Sequence, residues 1–308
     1  RKVRDGEESR ILWCFGCNVC LGRSARPETI CPVNPAVGRE ATFAPVPATR
    51  PLRLAIRGTS VSALTAAWVA ARRGHTVTVH ERGPVLGGLQ GFRARVPGQE
   101  EIAETFDALV QRAMVAGVKI VRAEPRPGEH DVLWAVRRPA PARGNGGTAA
   151  DRSVTSYDVL ASPGDFAGAG RAVVLGDDLA STEAALLLAE AGVGVELRSP
   201  ARDIAMDAHP GFRDVARRGL GRLGATIVTG VSPAPDGAPA ADRALVVAGG
   251  EPRFPDGDAG AWEAPELPLT VDDYLGDAYE PGRLTATVYE AVTRAAALDG
   301  SPRATPER

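Results

Sequence analysis

Leu52-Arg-Leu-Ala-Ile-Arg-Gly58-Thr-Ser60-Val-Ser-Ala63 is the stretch on which the fold of this 308-residue chain turns. A short apolar run ends at Gly58, and a helical pattern of apolar residues follows from Ser60 to Arg72. Gly74-His-Thr-Val-Thr-Val-His-Glu81 then alternates as a strand does, so the region predicts a βαβ unit. The same order returns downstream. Arg171-Ala-Val-Val-Leu-Gly176 reads as a strand, a helix runs from about Leu179 to Ala191, and Val193-Gly-Val-Glu-Leu197 is the returning strand. Two copies of one βαβ start in a single chain predict two nucleotide-binding-type α/β domains.

Further elements fit around these two. Helices are predicted at 99–116, 212–223 and 284–298, and strands at 118–122, 131–136, 225–229 and 243–248. The stretches 138–153 and 232–241 are rich in Pro, Gly and Ala and read as linkers. The expected organisation is a loop-rich segment over 1–45, an outer domain from 46–138 plus 240–308, and an inner domain over 139–239.

Hydrophobic residues make up 44% of the chain, enough for real cores at this length. A formal charge of -2 gives no basic excess, which argues against nucleic acid or an anionic membrane as the main partner. No apolar run approaches the ~20 residues of a membrane span, and a cytoplasmic location is expected.

Four cysteines, Cys14, Cys17, Cys20 and Cys31, fall within the first segment, and there are no others. A segment this rich in Gly, Pro and Asn buries little apolar surface and needs a staple. Zinc, a disulfide pair and an iron–sulfur cluster are the options. Zinc ribbons use two CxxC knuckles separated by a long loop. Here CxxCxxC lies on one loop, and the distant cysteine precedes Pro32, a spacing that favours a cubane cluster.

The segment Cys14-Phe-Gly-Cys17-Asn-Val-Cys20-Leu, with Ile30-Cys31-Pro-Val-Asn34 and Gly38-Arg-Glu40, resembles the cluster segment of the iron–sulfur Old Yellow Enzyme group. That group includes trimethylamine and dimethylamine dehydrogenases and 2,4-dienoyl-CoA reductase, and the two-residue gap between Cys17 and Cys20 looks more like the amine dehydrogenases. Gly74–Glu81, Leu86-Gly87-Gly88 and Leu275-Gly-Asp277-Ala278 match later landmarks in order. The resemblance implies a [4Fe-4S] cluster on the four cysteines, exchanging electrons with FMN in a TIM barrel. The barrel is not in this sequence, so it is expected in the same precursor or as a separate subunit. An iron–sulfur loop followed by two interleaved Rossmann-like three-layer domains, one FAD-type and one NAD(P)-type, is the implied fold. An electron-transfer flavoprotein is the acceptor implied by the amine dehydrogenases. The other functions in view are an FAD- and NAD(P)H-using dienoyl-CoA reductase-type module and a zinc-binding scaffold subunit.

The nucleotide sites depart from the usual pattern. A dinucleotide fold needs GxGxxG so that backbone can approach a pyrophosphate. The first turn reads Gly58-Thr-Ser60-Val-Ser-Ala63, placing a Cβ and a hydroxyl at the point of closest approach. Glu81 has the spacing to bind a ribose hydroxyl. Arg82, Gly88 and Asp277 stand where the family touches the rest of the nucleotide, so two outcomes are in view: ADP or FAD bound here, or a fold kept for packing with the nucleotide gone. Arg57 is expected either to meet a phosphate or to extend from the strand end. In the second turn, Gly176-Asp177-Asp178, two carboxylates precede a helix whose positive end would otherwise attract the pyrophosphate. NAD(P) binding is not expected there, although Arg198 could suit a 2′-phosphate. Val136-Arg137 replaces the family's Thr-Gly at the end of its strand. The four histidines, at 75, 80, 130 and 209, show no metal-ligating spacing.

Overall fold

The computed structural model describes residues 2–8, 11–14, 16, 20, 31–38, 43, 45–81, 86–87, 89–136, 153–231, 245–248, 274–275 and 292–299. The chain divides into two compact units. One comprises 1–91, 101–138 and 259–308; the other comprises 92–100 and 139–258.

In the first unit, β1 (Arg53–Arg57) runs through the turn at Gly58 into α1 (Val61–Arg72) and returns as β2 (Thr76–His80). α2 (Leu89–Arg93) leads out of this unit. α3 (Glu101–Val115), β3 (Lys119–Val121) and β4 (Val132–Val136) complete its continuous part. The last strand, β10 (Tyr274–Leu275), comes from far downstream and pairs with β4. The sheet order is β10-β4-β1-β2-β3, and every pairing is parallel. Parallel neighbours need crossover connections, and α1 and α3 supply two of them.

One face of the sheet carries Leu54, Ile56, Val77 and Val79, which share a core with Ala63, Ala67 and Ala70 of α1 and with Phe106, Leu109 and Ala113 of α3. The small side chains of α1 let it approach the strands closely. Strand alternation turns Ala55 and Arg57 to the opposite face. Leu12, Cys31 and Phe43 of the N-terminal segment pack against this same core, as does Leu298 beyond the helix at 292–297.

The second unit repeats the plan. β5 (Ser153–Thr155) and α4 (Ser156–Ala161) precede β6 (Arg171–Leu175), α5 (Leu179–Glu190) and β7 (Gly194–Ser199). α6 (Pro210–Arg222), β8 (Thr226–Thr229) and β9 (Leu245–Ala248) follow. The order is β5-β9-β6-β7-β8, again parallel throughout. β6 occupies the central place that β1 holds in the first sheet.

β9 pairs with β5 and β6, so the second unit continues to Asp258, past the boundary near 240 suggested by the sequence. Local composition identifies a strand but not the sheet it joins. α2, β5, α4 and β10 were not predicted; each is two to six residues long and carries too little periodicity to read. Of the predicted 284–298 helix, residues 284–291 lie outside the described residues. Among the described residues no helix is long and apolar enough to cross a membrane.

Candidate functional site

The β1–α1 turn is closed by the chain's own groups. Gly58 has φ +93°, a conformation that favours glycine, and its N–H donates to the His80 carbonyl at 2.8 Å. Ser60 is the N-cap of α1, and its hydroxyl accepts the Ala63 N–H at 3.2 Å. Glu81 is 3% exposed. Its Oε2 accepts from the Thr59 N–H at 3.2 Å and from the Thr59 hydroxyl at 2.7 Å. The Thr59 hydroxyl oxygen in turn accepts the Gly87 N–H at 2.9 Å. Glu81, the acid expected to reach a ribose, also holds the turn through this one oxygen, linking the end of β2 to the Leu86-Gly87 loop.

Arg57 is 4% exposed and forms an ion pair with Glu124 at 3.5 Å. Arg82, Gly88 and Asp277 lie outside the described residues.

In the second unit the helix N-terminus is filled by carboxylates. Asp178 caps α5, accepting the Ser181 N–H at 2.7 Å. Asp207, from the segment after β7, accepts the Leu179 N–H at 2.7 Å, and the Met206 N–H donates to the Asp177 carbonyl at 2.6 Å. Amides that would face a pyrophosphate are occupied from within. Burial pushes the Asp178 and Asp207 carboxyls above the usual carboxylate range, against the pull of their backbone donors. Sequence reasoning found Asp177 and Asp178 but missed Asp207, because nothing in its local pattern signals that its loop folds back onto α5. Arg198 lies 3.7 Å from Glu196.

One turn into α5, Glu183 is fully buried. Arg93 donates to it from Nε at 2.8 and 3.0 Å and pairs through Nη2 at 2.8 Å, and Gln99 Nε2 donates at 2.8 Å. Burial raises the Glu183 carboxyl even so, with Arg93 and Gln99 opposing. This network holds segment 92–100 within the second unit.

Among the described residues the cysteine segment meets the first unit through packing and through a hydrogen bond. The Thr105 hydroxyl of α3 donates to the Trp13 carbonyl at 3.1 Å, and Cys31 packs on the core. Two sulfurs receive backbone donors: Gly16 N–H to Cys14 Sγ at 3.3 Å and Asn34 N–H to Cys31 Sγ at 3.4 Å. Amide donors aimed at thiolate sulfur suit a metal or cluster ligand. Cys14, Cys20 and Cys31 are not disulfide-bonded, and Cys17 lies outside the described residues. Among the described residues no three metal-ligating side chains are gathered into a cage.

Arg112 lies in the last turn of α3. Its guanidinium carbon is 4.1 Å from the centre of the Trp68 ring, which stacks on Phe43 at 6.0 Å. The buried Nε and Nη2 have no hydrogen-bond partner among the described residues. Burial pushes the guanidinium down to about 10, against an electrostatic pull from Cys31. Four thiol donors, N–H groups aimed at sulfur and an orphaned cation fit an anionic thiolate-bound centre.

No family model matches the chain. It is 28% identical over 243 residues to an NADH oxidase from Thermoanaerobacter brockii, a match covering 75% of this chain and 37% of that protein. Of solved structures, a 2-naphthoyl-CoA reductase superposes with a TM-score of 0.80 at 23% identity, covering 97% of this chain and 48% of that one. Histamine dehydrogenase from Rhizobium sp. 4-9 superposes with a TM-score of 0.74 at 17% identity, covering 100% and 51%. The chain therefore spans about half or less of these proteins, and it shares with the two solved structures a fold of paired, parallel, Rossmann-like α/β sheets.

Proposed function

We propose that the chain is the electron-transfer part of an FMN and [4Fe-4S] oxidoreductase resembling the amine dehydrogenases. Electrons pass between FMN in a TIM barrel, fused or separate, and an external acceptor by way of Cys14, Cys17, Cys20 and Cys31. A cluster on these cysteines supplies one-electron chemistry.

The surroundings of Cys31 carry this reading. Its sulfur accepts the Asn34 N–H and its side chain packs on the first unit's core, which keeps water from that side. Arg112 presents two buried N–H groups without acceptors among the described residues. The oxidase, reductase and dehydrogenase names of similar proteins support the same class of chemistry.

Asp178 and Asp207 occupy the α5 amides, so the acceptor is a protein carrier, an electron-transfer flavoprotein by resemblance, rather than NAD(P). ADP or FAD, where bound, belongs to the first unit, with Arg82, Gly88 and Asp277 as its holding residues by resemblance. The test is anaerobic reoxidation. The dithionite-reduced chain is mixed with oxidised electron-transfer flavoprotein, NAD+ or NADP+. Rapid reoxidation by the flavoprotein alone is the expected result. Comparable reoxidation by either nicotinamide nucleotide overturns this account of the second unit.

A further inference from the structure

His75, in the loop between α1 and β2, is buried and uses both ring nitrogens. Its Nδ1 accepts the Leu52 N–H at 3.0 Å, which leaves the ring proton on Nε2, facing the Leu298 carbonyl at 3.2 Å. The neutral ring therefore joins the residue that leads into β1 to the residue that follows the helix at 292–297.

The same loop grips the end of that helix. Arg73 donates from Nη1 to the Ala296 carbonyl and from Nη2 to the Leu298 carbonyl at 3.0 Å. Carbonyls at a helix C-terminus have no partner within the helix, so these donors complete it. Asp299 accepts the Thr49 hydroxyl at 2.6 Å and the Arg50 N–H at 3.0 Å. Val292 and Ala295 of the helix belong to the core that α1 shares.

A protonated His75 cannot keep this arrangement. An imidazolium carries a hydrogen on each nitrogen and has no lone pair to offer, so its Nδ1–H would face the Leu52 N–H donor. Leu52 is also held at its carbonyl, which accepts the Thr76 N–H at 2.9 Å. Burial holds the imidazole below its usual range, against the Leu298 carbonyl; Arg73 adds to the lowering and Asp299 opposes it. Of the other charges on the surrounding elements, Arg53 of β1 is paired with Asp131, Arg72 of α1 lies over Trp68, and Arg294 is on the helix itself.

We propose that His75 is a pH-sensitive latch: neutral, it ties the helix at 292–297 to the entry of β1, and on gaining a proton it releases that helix while the sheets stay folded. This goes beyond the electron-transfer reading and does not depend on it. The released ring takes up a proton at about 6.5, the latched ring only at lower pH. Latching is therefore strongest above about 6.5 and is lost as pH falls from there towards the lowered value.

The test is hydrogen exchange of the full chain read by mass spectrometry, with protection expressed relative to the intrinsic amide rate at each pH. Peptides covering 292–299 are compared with peptides covering β6 and β7. In the wild type, protection at 292–299 is expected to fall several-fold, about tenfold at most, between about pH 7.5 and 5.5, while β6 and β7 hold. His75→Gln keeps an oxygen to accept and an N–H to donate but does not titrate, and is expected to abolish the fall. Asp299→Asn keeps an oxygen for Thr49 and Arg50 but removes a charge that favours the imidazolium, so the fall is expected at lower pH. Should His75→Gln fail to fold, Asp299→Asn decides alone. Protection at 292–299 that does not vary with pH in the wild type, a fall in His75→Gln equal to the wild type's, or a fall at unchanged pH in Asp299→Asn overturns the proposal. Loss of protection at 292–299 together with β6 and β7 shows general acid unfolding and overturns it as well.

Discussion

Glu81 and Thr59 form the bond that closes the first turn: one carboxylate oxygen accepts both the backbone N–H and the hydroxyl of Thr59, at 3.2 and 2.7 Å. Both groups are buried. Glu81→Ala leaves two buried donors unsatisfied, and a destabilisation of about 1–3 kcal/mol is expected in urea unfolding. Glu81→Gln keeps an acceptor and is expected to cost less. Equal losses in the two variants would mean that packing, not this pair, holds the turn.

Gly87 donates its N–H to Thr59 and has φ +107°. A Cβ built there lies 2.8 Å from the Gly91 N. Both the backbone conformation and the space require glycine. Gly87→Ala is expected to destabilise the protein by about 2–4 kcal/mol, combining strain with overpacking. Chemical unfolding monitored by circular dichroism measures it, and a loss below that of an ordinary surface substitution contradicts the geometry.

Arg93 and Glu183 are a buried pair supported by Gln99. Removing one partner strands the other, so Arg93→Met is expected to cost about 3–5 kcal/mol. Adding Glu183→Leu is expected to restore much of that stability. A double-mutant cycle reads the coupling, and additive losses would show that the two residues act independently.

Asp207 and Asp178 give the second unit a pH signature. Their folded-state carboxyls are raised by burial, so the folded chain binds protons more tightly than the unfolded one. This contribution favours folding below the ordinary carboxylate range and is lost as pH rises through the raised values. Asp207→Asn keeps an oxygen for the Leu179 N–H but removes the charge. Its stability relative to wild type is therefore expected to improve as pH rises from acid to neutral. A difference that does not vary with pH contradicts the assignment.

The repeated βαβ pattern was readable because alternation in Thr76–His80 and helical periodicity from Val61 survive in one local window. What was not readable is long-range. Asp207 reaches α5 through a loop, β9 chooses its sheet by pairing with β6, and Arg112 covers Trp68 only after α3 packs on α1. Glu81 was found by its spacing, and its bond to Thr59 is a contact that spacing does not signal. The cysteine motif is legible as spacing alone, whereas the packing of Cys31 on the core needed the fold.

The most direct test of the electron-transfer account is metal and sulfide analysis of the anaerobically purified chain, paired with electron paramagnetic resonance after dithionite reduction. The account predicts iron and acid-labile sulfide in equal amounts, four of each per chain, and a signal that appears on one-electron reduction. Zinc without sulfide, or a chain that stays silent when reduced, would contradict it.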